Sequence, residues 1–431
     1  MLKKMTYLIA IIIFCATVFS GYLNEQDIDD SAYVIALGID SGSDDNSIEL
    51  TIQVAIPSEG GSGSSSSSSE ESSSSSSEKG ASDTLNKTIE CKSIDSGLNL
   101  ANNIISKRLN LSHCKFIVFS KEIASKGISE YITTLENDIE LRSNCNILVT
   151  KTDAKEFLKS PNPILENSTS KYYEIITTNN KYAGYTAPAT LNTVYSSMYD
   201  TFGEACTMLG DVEESEDKGS GEDKGSSEDK GSGEDKSSGE DKGSGEDKGS
   251  SESNEKNTVL GGVAVFKDDK LVGTLDVDET IPHLIVTNKL QTCLISIPSP
   301  FSENNYMDFH ISISSKTRSS VLIQEPAPHI ITSASLAATI LSSSSDFDSS
   351  SQEDINKIEE ALSAYIKDEI MKYYEKTSKE FKADIAGLGR HAVYNFPTID
   401  DWKSYDWLNK YENATFEVNV DTKIETSYFI S

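Results

Sequence analysis

Side chains that bind a metal, attack an electrophile or move a proton are the natural starting point, and this 431-residue chain has five histidines and six cysteines among them. The histidines are His113, His283, His310, His329 and His391, and none are spaced as HxxxH or HxH, the patterns that bring two imidazoles to one metal. The cysteines, Cys15, Cys91, Cys114, Cys145, Cys206 and Cys293, form no CxxC pair and no His/Cys cluster, so zinc and thioredoxin-type chemistry lack support. Neither a G-x-S-x-G elbow nor a phosphate loop is present. The sequence names no catalytic residue, no metal ligand and no cofactor, and it argues against an enzyme.

Three stretches come near a motif and fail on chemistry. The loop "SGSDDNS" resembles a calcium loop, but the sixth position holds Asp45 instead of glycine and the twelfth holds Thr51 instead of a closing glutamate. "DIAGLGRHAVYNFP" lacks the third glycine and the preceding strand of a dinucleotide loop, and Gly387 or Gly389 is expected to end a long helix there. "DVDE", Asp276 to Glu279, is an acid patch best read as a turn after a strand. The cysteines beyond Cys15 read as mostly free, buried thiols, since Cys114 and Cys145 each adjoin an apolar strand-like run.

These residues need elements to hold them, and periodicity supplies the elements. "YVIALGID" and "IELTIQVAIP" alternate as strands around a Gly/Ser/Asp/Asn turn, a hairpin signature. "SIDSGLNLANNIISKRLNL" puts Ile94, Leu98, Ala101, Ile104, Ile105 and Leu109 on one helical face behind a Ser93 cap. "CKFIVFS" and "NILVT" read as strands, with helices at "SEYITTLEND" and "DAKEFLKS". Farther on, "GVAVF" and "KLVGTL" flank a second hairpin turn, and "CLISIPSP" and "DFHISISSKTRSSVLI" are further strands. A helix over about 351–382 carries a continuous apolar face from Ile355 to Tyr373, and "ATFEVNVDTKIETSYFIS" closes the chain as a half-exposed strand. The pattern predicts an α+β protein, multi-domain, with mixed sheets packed with helices.

Two low-complexity inserts interrupt it. Residues 58–80 are Ser-rich with no large apolar side chain, a flexible loop by composition. Residues 213–256 repeat EDK six times at a six-residue period, with sixteen Asp/Glu against seven Lys. Each repeat carries a neutralising Lys and flexible Gly/Ser, so the array reads as a solvated acidic spacer and not an oxygen cage for cations. Closure entropy grows only logarithmically with loop length, so both inserts are expected at solvent-exposed points and removable. The expected domains are 22–205, an acidic linker over 211–257, and 258–431. A net charge of -31 excludes nucleic acid as a partner, because displacing counterions from phosphate needs a basic surface.

Residues 1–21 combine Lys3 and Lys4, an apolar run from Met5 to Phe19, and small Ser20 and Gly21, the layout of an export signal or N-terminal membrane anchor. The run is slightly shorter than the ~17–25 residues that span a bilayer comfortably, a gap that tilt or snorkelling closes.

The segments "NEQDIDDSAYVIALGID", "LTIQVAIPS", "GVAVFKDDKLVGTLD" and "EFKADIAGLGR…W…DW…FEVNVDTKI" occur in an order that resembles the Ger(x)C family, the C subunits of bacterial spore germination receptors. The resemblance implies a multi-domain α+β fold, no enzymatic activity and a place on the outer face of the spore inner membrane. It also implies two polytopic membrane partners, the A-type and B-type receptor subunits, in a complex that responds to small germinants. The family's lipidated cysteine is missing, since Tyr22 stands where the acceptor thiol is expected. Three outcomes fit: an uncleaved anchor, which we favour, cleavage after Ser20, or an impaired paralogue. Asp384, Gly387, Gly389 and Arg390 lie where the resemblance is densest and are candidates for partner contact, with a helix cap as the competing reading. Trp402 and Trp407 read as core, or else as exposed partner anchors. The alternative function is an exported solute-binding protein that captures a small ligand between its halves.

Overall fold

The computed structural model describes residues 30–44, 46–56, 83–161, 163, 165–166, 168–214, 256–302, 304–343 and 351–427, with isolated positions 5, 7, 11, 14 and 15. Tyr22 and most of the N-terminal segment, the whole Ser-rich insert 58–80 and the EDK repeat lie outside the described residues.

The first half builds β1 (Ser31–Ser41), β2 (Ile48–Ala55), β3 (Thr84–Cys91), helix α1 (Ile94–Asn102), β4 (Arg108–Asn110), β5 (Phe116–Ser120), α2 (Lys121–Lys126) and α3 (Ser129–Glu136). It continues through β6 (Asn146–Thr150), α4 (Ala154–Lys159), α5 (Thr169–Ala183), α6 (Leu191–Tyr199), β7 (Cys206–Glu214), β8 (Lys256–Lys267) and β9 (Lys270–Leu275). The large sheet runs β3-β2-β1-β5-β6-β7-β8-β9, with β4 beside β1. Its centre, β1, β5, β6 and β7, is parallel, and both flanks are antiparallel. Parallel strands are covered on both faces and so read as unbroken apolar runs, which is why every residue of "FIVFS" is buried.

The second half adds α7 (Val277–Val286), β10 (Thr292–Pro298), β11 (Tyr306–Leu322), β12 (His329–Ser343), the long helix α8 (Gln352–Glu375), three short helices α9 (Gly389–Ala392), α10 (Ile399–Tyr405) and α11 (Trp407–Lys410), and β13 (Thr415–Ser427). A smaller sheet runs β10-β11-β12-β13, and its last pair is parallel, joined by a crossover through α8. Ile358, Leu362, Ile366 and Ile370 line the buried face of α8, each burial stabilising by roughly 1.5–3 kcal/mol.

One strand serves both halves. Leu260, Ala264 and Phe266 of β8 join the core of the large sheet, whereas Val263 and Val265 join the core formed by α7, α8 and the small sheet. Period-2 alternation alone sends its even and odd residues to opposite cores; Gly262, at the register shift opposite Met208–Gly210, sits at φ +98, where a Cβ would stand 2.4 Å from the Leu275 carbonyl oxygen. The ladder of the large sheet thus continues through β8 to Leu275, past the boundary expected at 258. Asp211–Glu214 and Lys256–Asn257, expected within the linker, are paired strand residues.

Three local expectations change. Helix α1 keeps its Ser93 cap, reciprocated by Ser96, but ends at Asn102. Asn102 Oδ1 accepts from the Leu109 amide, and Arg108–Asn110 pairs with β1 instead of continuing the helix. "DVDE" opens a helix: Asp276 accepts from the Glu279 amide and Glu279 Oε2 accepts from the Asp276 amide, a capping box at the start of α7. Finally, α8 does not run to Gly387. It widens into a π-helical turn over Lys376–Phe381 and stops at Lys382, which takes the left-handed conformation at φ 54.

Candidate functional site

That stop frees residues 383–388 to form a loop, and the loop, with the start of α9, meets the segment Asp200–Ala205 that leads into β7. Backbone closeness comes first. The Glu204 amide donates to the Asp384 carbonyl at 2.8 Å. A Cβ on Gly203 would lie 2.8 Å from Gly387 Cα, and one on Gly389 would lie 2.5 Å from the Phe202 carbonyl oxygen. Only glycine lets the two chains approach so closely at these positions.

Side chains then lock the seam. Asp384 is 1% exposed. Its Oδ2 accepts from the Gly389 amide at 3.0 Å and from Trp407 Nε1 at 2.9 Å, while its buried Oδ1 has no hydrogen-bond partner among the described residues. Burial pushes its pKa up to about 6, against the lowering effect of the Leu388 amide, the Trp407 indole and the Gly389 and Gly387 amides. Trp402 Nε1 donates to Thr201 Oγ1 at 2.9 Å, and Arg390 Nη2 pairs with Asp200 Oδ2 at 3.1 Å. Glu204 is also buried; its Oε2 accepts from the Asp268 amide at 2.9 Å. Desolvation raises it to about 7, with the Asp268 and Asp384 charges adding to the rise.

A second buried cluster lies beside the first. His283 Nδ1 is 3.0 Å from the Tyr373 hydroxyl, and Cys206 Sγ is 4.0 Å from His283 Nε2. A cysteine beside a histidine suggests a nucleophile and its base, but the electrostatics oppose it. Burial, with Lys289 nearby, drives His283 down to about 3, and burial drives the Cys206 thiol up. The imidazole stays neutral and the thiol stays protonated, so the pair makes no thiolate.

Of the four candidate residues, Asp384 and Gly389 are buried in the seam, Gly387 is half-buried, and Arg390 alone presents its side chain to solvent, 63% exposed. Arg390 pairs with Asp200 across the seam, not with Asp384 or a helix end. Trp402 and Trp407 are core residues, stacked with ring centroids 6.0 Å apart. Sequence reasoning missed Asp200, Gly203 and Glu204. They lie well over a hundred residues from their partners, and no spacing rule links such positions. The remaining histidines and cysteines are scattered, and no group of His, Cys, Asp or Glu suited to a metal occurs among the described residues.

Two family models match the chain in order: the spore germination protein N-terminal domain over residues 24–213, and spore germination B3/GerAC like, C-terminal, over residues 261–428. The chain belongs to the Ger(x)C family of spore germination proteins. Among solved structures, the crystal structure of the GerBC protein is similar at 16% identity, with a TM-score of 0.48, covering 90% of this chain and 96% of that one. No curated protein matches the chain.

Proposed function

We propose that this protein is the non-catalytic C subunit of a spore germinant receptor. Its N-terminal segment tethers it at the outer face of the spore inner membrane, where it assembles with two polytopic subunits of A and B type. The observation that carries the reading is the match of both family models, in order, over 24–213 and 261–428. The side chains best suited to chemistry agree with it. Asp384, His283 and Cys206 are spent inside the fold, where their charge states suit packing and not turnover. No helix among the described residues is long and apolar enough to cross a membrane.

The ligand-capture alternative needs room between the halves. There Val263, Val265 and Leu275 are buried in the second core with Leu284 and Ile285 of α7, which favours assembly over capture.

Affinity capture of the tagged chain from detergent-solubilised spore inner membranes, with mass spectrometry of partners and of the bait's own N-terminal peptide, tests the proposal. Two polytopic subunits recovered with an intact Met1-to-Tyr22 segment are expected. A partner-free chain beginning near Gly21 would overturn it.

A further inference from the structure

Cys114 and Cys145 lie just before two neighbouring parallel strands, β5 and β6. The register pairs Phe116 with Asn146, and the Asn146 amide donates to the Lys115 carbonyl at 2.9 Å, which fixes the two strand starts side by side. Each cysteine is set by its own turn: the Cys114 amide donates to Leu111 and the Cys145 amide to Arg142, both at 3.0 Å. The Cys145 carbonyl is held in turn by the Leu191 amide at 2.8 Å. Under these constraints the two sulfurs are 3.6 Å apart, at residues 5% and 1% exposed.

The other thiols have different surroundings. Cys91 packs against Gly97, Cys206 faces His283, and Cys293 abuts Gly184. A disulfide bond is about 2.05 Å long, so the Cys114 and Cys145 sulfurs must close by roughly 1.5 Å. Rotation about the two Cα–Cβ bonds is the side-chain movement that this closure calls on.

We propose that Cys114 and Cys145 form a buried disulfide when the chain folds in the presence of a low-molecular-weight disulfide. The thiolate of one cysteine attacks a sulfur of the oxidant, making a mixed disulfide and releasing one thiol. The second cysteine then attacks the protein sulfur of that mixed disulfide and expels the second thiol. Two cysteine thiols and one small disulfide become one protein disulfide and two small thiols, which carry away both protons and both electrons. Burial, together with the neighbouring Cys114, holds the Cys145 thiol well above its ordinary range, so exchange is slow in the finished fold. The bond forms as the strand starts come together, and it closes a loop that spans α2 and α3. Closing that loop restricts the unfolded chain and stabilises the folded one.

The test is to refold the full chain in mixed oxidised and reduced glutathione, alkylate it with N-ethylmaleimide under denaturing conditions, and map the peptides by mass spectrometry. A linked peptide pair containing Cys114 and Cys145 is expected, with Cys91, Cys206 and Cys293 alkylated. The thermal midpoint should rise by several degrees over the same protein reduced, a rise that Cys114→Ser abolishes. Alkylation of both Cys114 and Cys145, or linkage to a different cysteine, overturns the proposal. So does a linked protein that melts no higher than the reduced one, because that bond would not fit the native geometry.

Discussion

Two carboxyls in the seam give the protein a pH dependence with a definite sign. The folded pKa of Asp384 is raised from 3.8 to about 6, and that of Glu204 from 4.5 to about 7, in both cases chiefly by burial. Across those windows the folded chain keeps a proton that the unfolded chain has released. Stability is therefore greatest at the low end and falls as pH rises through about 4 to 7. Asp384→Asn together with Glu204→Gln keeps an acceptor for Trp407, Gly389 and the Asp268 amide but removes the titration. Urea midpoints across this range should fall with rising pH in the unaltered protein relative to the double variant; parallel profiles would show that neither carboxyl is desolvated as the seam requires. Exposed carboxylates held low by hydrogen bonds, such as Asp308 beside Ser296 and Ser342, titrate alike in both proteins and cancel.

At the scale of elements, both inserts leave the fold at hairpin ends. Ala55 pairs with Thr84, and the Ile56 amide donates to the Asp83 carbonyl at 2.7 Å; Glu214 pairs with Lys256. Each insert therefore departs and returns on neighbouring strands, where a short turn could replace it. Excising residues 58–80 and 216–254, each in favour of an Asn-Gly turn, should leave the urea midpoint unchanged or raise it, by roughly 1–2 kcal/mol per insert in free-energy terms, because the shorter loop costs less closure entropy. A loss of stability would mean that the inserts contribute packing. The β1–β2 and β8–β9 hairpins were legible in the sequence, because alternation and turn composition are local, whereas β3 and β7, which pair across the inserts, were not read as strands. Less local features were not. Ile104, Ile105 and Leu109 continue the helical period of α1, but pairing with β1 captures Arg108–Asn110. In "HIITSASLAATILSS" serines and alanines blur the alternation, so β12 carried little signal although Ile330, Leu336 and Ile340 are buried. Of the candidate site, the loop with Asp384 and its glycines stood out by resemblance, while Gly203 and Glu204 opposite it were invisible, because only tertiary folding brings them there.

For the whole molecule, β8 and the Asp384 seam make two cores answer to one another. Losing either half would expose Val263 and Val265 on one side or Ala264 and Phe266 on the other, so neither core has a stable boundary of its own. Unfolding should be a single transition. The two tryptophans provide a probe, since Trp402 and Trp407 both lie in the seam and are the only tryptophans in the chain. Their fluorescence and the far-ultraviolet circular dichroism should change at the same urea concentration. Separate midpoints would assign the halves independent stabilities.

The shared strand also has a mechanical meaning. A load applied to the small sheet or to α7 reaches β8 through Val263 and Val265. From there it passes, through backbone hydrogen bonds to β7, into the parallel centre of the large sheet. No compliant linker lies along that route to absorb the displacement. Under tension the described part of the protein should therefore give way in one rupture and not in two, a result that single-molecule force extension would read directly.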